Sequence, residues 1–291
     1  MTGQLRPNGL KKNIFKHSIS ITLINKNTKM KFQLKSLALV LAAAFAFTSC
    51  SKDDEDPVQL ITGEGSLKLE FDNVYKDADL AFNTAYLNSN GETVKISKAK
   101  YIVSNIVLTK EDGTTYTVPK SQSYFIIDEA TEASTLLTLP NIPAGNYTKV
   151  KFGIGVDQAQ FNLGAAGQGD FLTQAQAAGM MWSWSAGYKF VALEGTFTSA
   201  TVTTETTFML HTGQTGSDYN YTEVTLNLPE NALVRTTITP QIHMMADLSQ
   251  LPDGTNKINF SEGAMVMGGA KLALATANIA NMFEVHHVHN D

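Results

Sequence analysis

The sequence predicts an all-β protein: an antiparallel, β-sandwich-like single domain with one or two short helices. Three observations predict it. Turn-forming dipeptides recur between short segments rich in Thr, Val, Ile, Tyr and Phe, which suit a pleated, half-buried surface. Apolar and polar residues alternate along several of those segments. Runs with a helical period are scarce.

The elements follow in order. Leu67, Leu69 and Phe71 share one face of an expected strand at 66–71. Asn90-Gly91 separates Ala81–Leu87 from Glu92–Ile96, and Asp112-Gly113 lies between Tyr101–Thr109 and Thr114–Val118. Such pairs supply the positive φ of tight hairpin turns. Thr173–Ala178, rich in Ala and Gln, is expected to be a short helix. Arg235–Ile242 alternates again, with Thr236, Ile238, Pro240 and Ile242 on one face. Asp253-Gly254 is expected to turn the chain into a strand at Lys257–Phe260, and Thr276–Met282 to form a second short helix before a last strand.

The amino end reads differently. Residues 1–29 lack apolar periodicity and are expected to be a mis-assigned start ahead of Met30. Residues 30–49 have a basic opening, a short apolar run and small residues, which is the layout of a secretory signal peptide. Phe47-Thr48-Ser49-Cys50 resembles the box at which lipoproteins are cut and acylated, with Phe47 in place of the usual leucine. Cys50 is the only cysteine, so it is the expected lipidation site and no disulfide can form within the chain. Residues 50–64 then form the lipidated start and an acidic linker. Ser51-Lys52-Asp53-Asp54-Glu55-Asp56 is a solvated spacer that also looks like a surface-export signal. The expected place is the cell envelope, as an outer-membrane lipoprotein with the lipid bilayer as partner through Cys50. Its domain, residues 65–291, stands on the inner or the outer face of that membrane, and exposure at the surface is the alternative that the acidic segment points to.

The net charge is −5, and no basic stripe exists for a nucleic acid to follow. The sequence offers no Gly-x-Ser-x-Gly elbow, no phosphate-binding loop and no His-Glu-x-x-His. No catalytic mechanism is supported, and an enzyme is not expected.

The residues able to bind metal are few. The chain ends Glu284-Val285-His286-His287-Val288-His289-Asn290-Asp291. In a strand, His287 and His289 share a face, where a His-x-His pair can chelate, while His286 points away. His211 follows Met209, and His243 would share a face with Met245. For His211 a ligand and a hydrogen-bonded strand histidine are equal alternatives; for His243 the hydrogen-bonded role is expected. Both tryptophans, Trp182 and Trp184, lie two apart and would share a face in an extended segment. Core packing is the expectation for them. Asp157 and Asp170 could hold calcium, though turn capping is the commoner use of such residues.

The order of segments carries a resemblance. The chain reads Lys100–Ile106, Tyr124–Asp128, Ile142–Tyr147, Phe152–Asp157, the double-tryptophan stretch Gly179–Gly195, Phe208–Gly213 and Met282–Asp291. This ordered set resembles the MbnP-like family, named for a methanobactin-associated periplasmic protein. The resemblance implies a β-sandwich-like domain linked to copper. Relatives bind copper through histidines and, in some, through a kynurenine made from tryptophan by a dihaem enzyme of the MbnH type. His211, His287 and His289 fall on the family's segments, and Trp182 and Trp184 would be the oxidised or structural tryptophans. No Trp-x-His occurs here, a departure that bears on the kynurenine ligand more than on copper. The expectation is a copper-binding protein with a dihaem cytochrome as partner. The alternative is a metal-independent surface module binding a glycan or an envelope protein, and a copper oxidase is the least favoured reading.

Overall fold

Leu67, Leu69 and Phe71 all point inward from the first long strand, as their alternation requires. The computed structural model describes residues 61–291. The expected signal peptide, Cys50 and the acidic segment lie outside the described residues.

The first strands are β1 (Glu64–Tyr75), β2 (Ala78–Asp79), β3 (Ala85–Leu87), β4 (Thr93–Lys110) and β5 (Thr115–Thr117). They are followed by β6 (Tyr124–Asp128), β7 (Leu136–Pro143), β8 (Gly145–Ile154), α1 (Gln158–Phe161) and α2 (Asp170–Ala177). Next come β9 (Lys189–Thr198), β10 (Thr206–Thr215), β11 (Asp218–Tyr219), β12 (Thr222–Val234) and β13 (Gln241–Asp247). The chain closes with α3 (Gln250–Asp253), β14 (Met265–Val266), α4 (Gly269–Asn278) and β15 (Phe283–His289).

Two sheets result. The five-stranded one runs β15-β13-β1-β2, with β7 also on β1. The ten-stranded one runs β11-β10-β9-β4-β8-β12, with β14 on β10 and β3, β5 and β6 on β4. Pairing is antiparallel except for β1 with β13 and β10 with β14. The sheets meet through aromatic edges. Phe71 of β1 lies 5.6 Å from Phe152 of β8, and Phe152 lies 5.1 Å from Phe283 of β15, ring centre to ring centre. That inner layer makes the fold an all-β sandwich.

A second, smaller core lies on the outward face of the ten-stranded sheet. Ile102, Phe190 and Ala192 are covered there by Phe171 and Ala175 of α2 and by Met180 and Tyr188. Among the described residues no helix is long and apolar enough to cross a membrane.

The first two expected hairpins form. Leu87 faces Thr93 across the Asn90-Gly91 turn, and Thr109 faces Thr115 across Asp112-Gly113. Both glycines have positive φ, 77° and 84°. The expected helix at Thr173–Ala178 is α2, begun three residues earlier. The one expected at Thr276–Met282 is the end of α4 running into a 3-10 turn at Ile279–Asn281. Two single-turn helices, α1 and α3, were not expected.

Two expected strands do not form. Residues 235–240 are a loop, and β13 begins only at Gln241. Pro240 has no N–H to give to a ladder. Asp253-Gly254 closes the turn of α3 instead of a hairpin, and Lys257 makes only an isolated bridge to Asp253. The Asp253 carboxylate is bound by the Ser89 N–H and the Lys257 ammonium, which fixes that turn.

Candidate metal centre

Strand alternation places Ile242, Met244 and Ala246 of β13 in the core. Gln241, His243 and Met245 therefore face outward. β15 pairs antiparallel with β13 and forms the edge of its sheet. Gln241 faces His289 and His243 faces His287, but Met244 then faces Val285. His286 is the extra residue of a β-bulge. Unbroken alternation would turn His286 and His287 to opposite faces; the bulge breaks it and brings both rings to one side.

Four imidazoles gather as a result. His243 Nδ1 is 3.3 Å from His287 Nε2. His287 Nε2 is 2.7 Å from His289 Nε2, and His287 Nδ1 is 2.7 Å from His286 Nδ1. His243 and His287 are half-buried, whereas His286 and His289 are exposed. The end of β15 is tied down, because Asn290 Oδ1 accepts from the Leu233 N–H and its Nδ2 donates to the Asn231 carbonyl. Burial and the neighbouring rings of His243, His289 and His286 hold His287 below the ordinary histidine range. The neutral imidazole favoured in this way is the form that ligates metal.

Acids flank the histidines on β1. Glu70 and Asp72 alternate with the buried Leu69 and Phe71, so they stand on the same outward face. Asp72 Oδ2 lies 3.2 Å from His243 Nε2. Glu70 Oε2 accepts from Gln241 Nε2 at 2.7 Å. Met245 shares this face, but its register partner is Glu284 and it lines a separate cleft with Asp247 and Phe283.

His211 is elsewhere. It sits on β10 in the ten-stranded sheet, on the face opposite the core residues Phe208 and Leu210. The sandwich core therefore lies between His211 and the cluster of His243, His286, His287 and His289. His211 is buried, and its Nε2 lies 2.9 Å from Glu194 Oε1. Glu194 Oε2 also accepts from Lys98 Nζ at 2.9 Å. Burial pushes the His211 pKa down, against the pull of Glu194. Its Nδ1 is buried without a partner.

Trp182 and Trp184 do not share a face. The backbone turns at Ser183, whose carbonyl accepts from the Ala186 and Gly187 N–H groups. Trp182 is directed toward His211, with ring centres 6.1 Å apart, and its ring edge lies over Gly213. Trp184 stacks on Phe161 at 4.8 Å. Both rings are half-buried.

Asp157 caps α1 by accepting from the Gln160 N–H. Its carboxylate also binds Lys120 Nζ at 2.8 Å, Asn105 Nδ2 at 2.9 Å and the Tyr124 hydroxyl at 2.7 Å. Turn capping and the pair with Lys120 are thus the observed roles of Asp157. Asp170 lies in the first turn of α2.

Sequence reasoning paired His287 with His289 but left out His243 and sent His286 to the far face. The signal for His243 was its outward parity between Ile242 and Met244. No local signal marked the bulge.

The MbnP family model matches residues 64–268. The match includes His211, His243, Trp182 and Trp184 and ends before β15. Among solved structures, MbnP from Methylosinus trichosporium is 15% identical, with 72% of this chain and 82% of that chain covered, at a TM-score of 0.43. No curated protein matches the chain.

Proposed function

This chain belongs to the MbnP family, and from that premise we propose that it is an exported lipoprotein whose domain binds copper at His243, His287 and His289, with His286 alongside. The observation that carries this is the spacing of the ring nitrogens. Two donors on one metal, with bonds of about 2.0–2.1 Å, lie roughly 2.8–3.4 Å apart. The two separations that meet at His287 Nε2, 3.3 Å to His243 Nδ1 and 2.7 Å to His289 Nε2, fall at or beside that range. His286 approaches the other ring nitrogen of His287, and ligand atoms of His243, His286 and His287 lie within 4.8 Å of one another. Imidazole is a good ligand for copper.

In this reading Cys50 carries the lipid and the acidic segment after it spaces the domain from an outer membrane, on the surface of the cell. The protein holds metal and performs no catalysis of its own. Copper titration of the untagged protein, beside a His287→Ala, His289→Ala variant, tests it. One tight equivalent lost in the variant supports the reading. Absence of binding in the wild type removes it and leaves a surface module that recognises a glycan or envelope protein.

A second reading is favoured by one observation, the placing of half-buried Trp182 beside the ring of His211, whose Nδ1 has no hydrogen-bond partner. Indole offers only a donor, whereas a ring-opened tryptophan carries an amine and a carbonyl that can ligate. A dihaem partner of the MbnH type would make that change, and mass spectrometry of the native protein would detect it at Trp182 or Trp184.

A further inference from the structure

The proposed centre contains one hydrogen bond that decides which nitrogen of His243 is free. Asp72 Oδ2 lies 3.2 Å from His243 Nε2. A carboxylate can only accept, so a neutral His243 carries its proton on Nε2. The lone pair is then on Nδ1, the atom that faces His287 Nε2 at 3.3 Å. The opposite tautomer would direct an N–H at the position a metal has to occupy.

The neighbouring acid is not available for this task. In the parallel register of β1 and β13, Glu70 is the residue opposite His243, and Asp72 is opposite Met245. Glu70 is bound by the Gln241 amide at 2.7 Å. Asp72 therefore makes the diagonal contact. The arrangement is a carboxylate–histidine pair facing outward from the donor set, as in centres where a second layer of residues orients the ligands.

The donor set also bears on the kind of metal. Met244 is buried in the core, Met245 lines another cleft, and the only cysteine, Cys50, is the expected lipid carrier. Imidazole nitrogens backed by carboxylate suit a divalent ion of borderline hardness, and copper(II) stands at the top of the divalent order. The donors that gather within hydrogen-bond distance of one another are imidazole nitrogens, with no thiolate among the described residues.

We infer that Asp72 is the positioning residue of this centre, holding His243 with Nδ1 toward the metal, and that the centre takes copper(II) in preference to copper(I). This rests on the reading that the four histidines bind metal.

The test uses full-length, lipidated, untagged protein in detergent, with Asp72→Ala, Asp72→Glu, Glu70→Gln and His287→Ala variants. Histidine-selective ¹⁵N NMR of the metal-free protein reads the His243 tautomer. Copper(II) EPR counts the bound nitrogens, and chelator competition gives the affinity for each oxidation state. Asp72→Ala is expected to weaken copper(II) about 10–100-fold, to mix the His243 tautomers and to remove one nitrogen from the EPR pattern. Asp72→Glu is expected to restore part of the loss, and Glu70→Gln to leave affinity nearly unchanged. Wild-type affinity, tautomer and nitrogen count in Asp72→Ala would overturn the inference while leaving the histidine centre standing. Retained binding in His287→Ala would instead overturn the centre itself. Tighter binding of copper(I) than copper(II) would overturn the oxidation-state assignment.

Discussion

His243 and His287 stand directly opposite one another on β13 and β15, Nδ1 to Nε2 at 3.3 Å, although 44 residues separate them in sequence. A metal shared by these two rings would cross-link the edge strand of the five-stranded sheet to its neighbour. Binding and stability of the carboxy-terminal strand are therefore coupled.

That coupling gives the first prediction. A ligand that binds only the folded state stabilises it by about 2.7 kcal/mol at a free concentration of 100 times Kd. In a domain of this size the melting temperature should rise by about 5–10 °C with copper. His243→Ala and His287→Ala should each abolish the rise, and His286→Ala should reduce it less. Differential scanning calorimetry with and without copper reads all four proteins. A full rise in His243→Ala would remove β13 from the centre.

The second prediction concerns pH. His287 titrates below the ordinary histidine value because of burial and the rings of His243, His289 and His286. The unfolded chain therefore takes up its proton at a higher pH than the folded one. Between the two values stability falls as pH falls, and it is fully recovered above the ordinary histidine value. In an NMR titration of the metal-free protein, the His287 ring signals should shift at lower pH than those of a histidine in a short peptide. His243→Ala should raise that midpoint by removing one neighbouring ring. An unshifted midpoint in the wild type would contradict the packed geometry.

The sequence made part of this centre legible and hid the rest for a physical reason. His287-Val288-His289 is a local pattern, and period-two alternation reads it directly. His243 enters only through long-range pairing of β13 with β15, and His286 only through a bulge, which obeys no local period. The same division holds for the fold. The hairpins at Asn90-Gly91 and Asp112-Gly113 were legible because turn chemistry is local. The parallel pairing of β1 with β13 joins segments far apart in the chain and leaves no local trace. Trp182 and Trp184 looked like a shared face because the turn at Ser183 depends on backbone hydrogen bonds that the side chains do not announce.

The third prediction is Asp157→Asn. Asparagine is also a good helix cap, so the change removes chiefly the charge that pairs with Lys120. Hydrogen bonds from Lys120, Asn105, Tyr124 and the Gln160 N–H outweigh burial and bring the Asp157 pKa down to about 2. An ordinary Asp titrates near 3.9. The stabilisation is present above the ordinary value and is lost as pH falls through the folded one. Discounted for the exposed Lys120, the loss at neutral pH should be about 1–2 kcal/mol. Urea unfolding of both proteins should converge as pH is lowered from about 4 toward about 2. A difference that persists undiminished at the acid end would mean that the carboxylate's charge is not what stabilises the turn.

The fourth prediction separates packing from ligation. Phe283 begins β15 and is 6% exposed. It packs edge-on against Phe152 at 5.1 Å, Tyr101 at 5.8 Å and Phe71 at 6.2 Å. Its ring is what fixes the start of the histidine-bearing strand to the sandwich core. Truncation to alanine leaves a cavity among three aromatic rings and should cost about 3–5 kcal/mol. The ring touches none of the four imidazoles, so any fall in copper affinity must come through the strand's position. Phe283→Leu retains most of the buried volume, so it should be destabilised less and keep near wild-type affinity. Phe283→Ala should be weakened in both respects, and copper should restore part of its lost stability. Calorimetry and copper titration of the pair check this. Unchanged affinity in Phe283→Ala, together with a large drop in stability, would mean that β15 holds the histidines in place without its aromatic anchor.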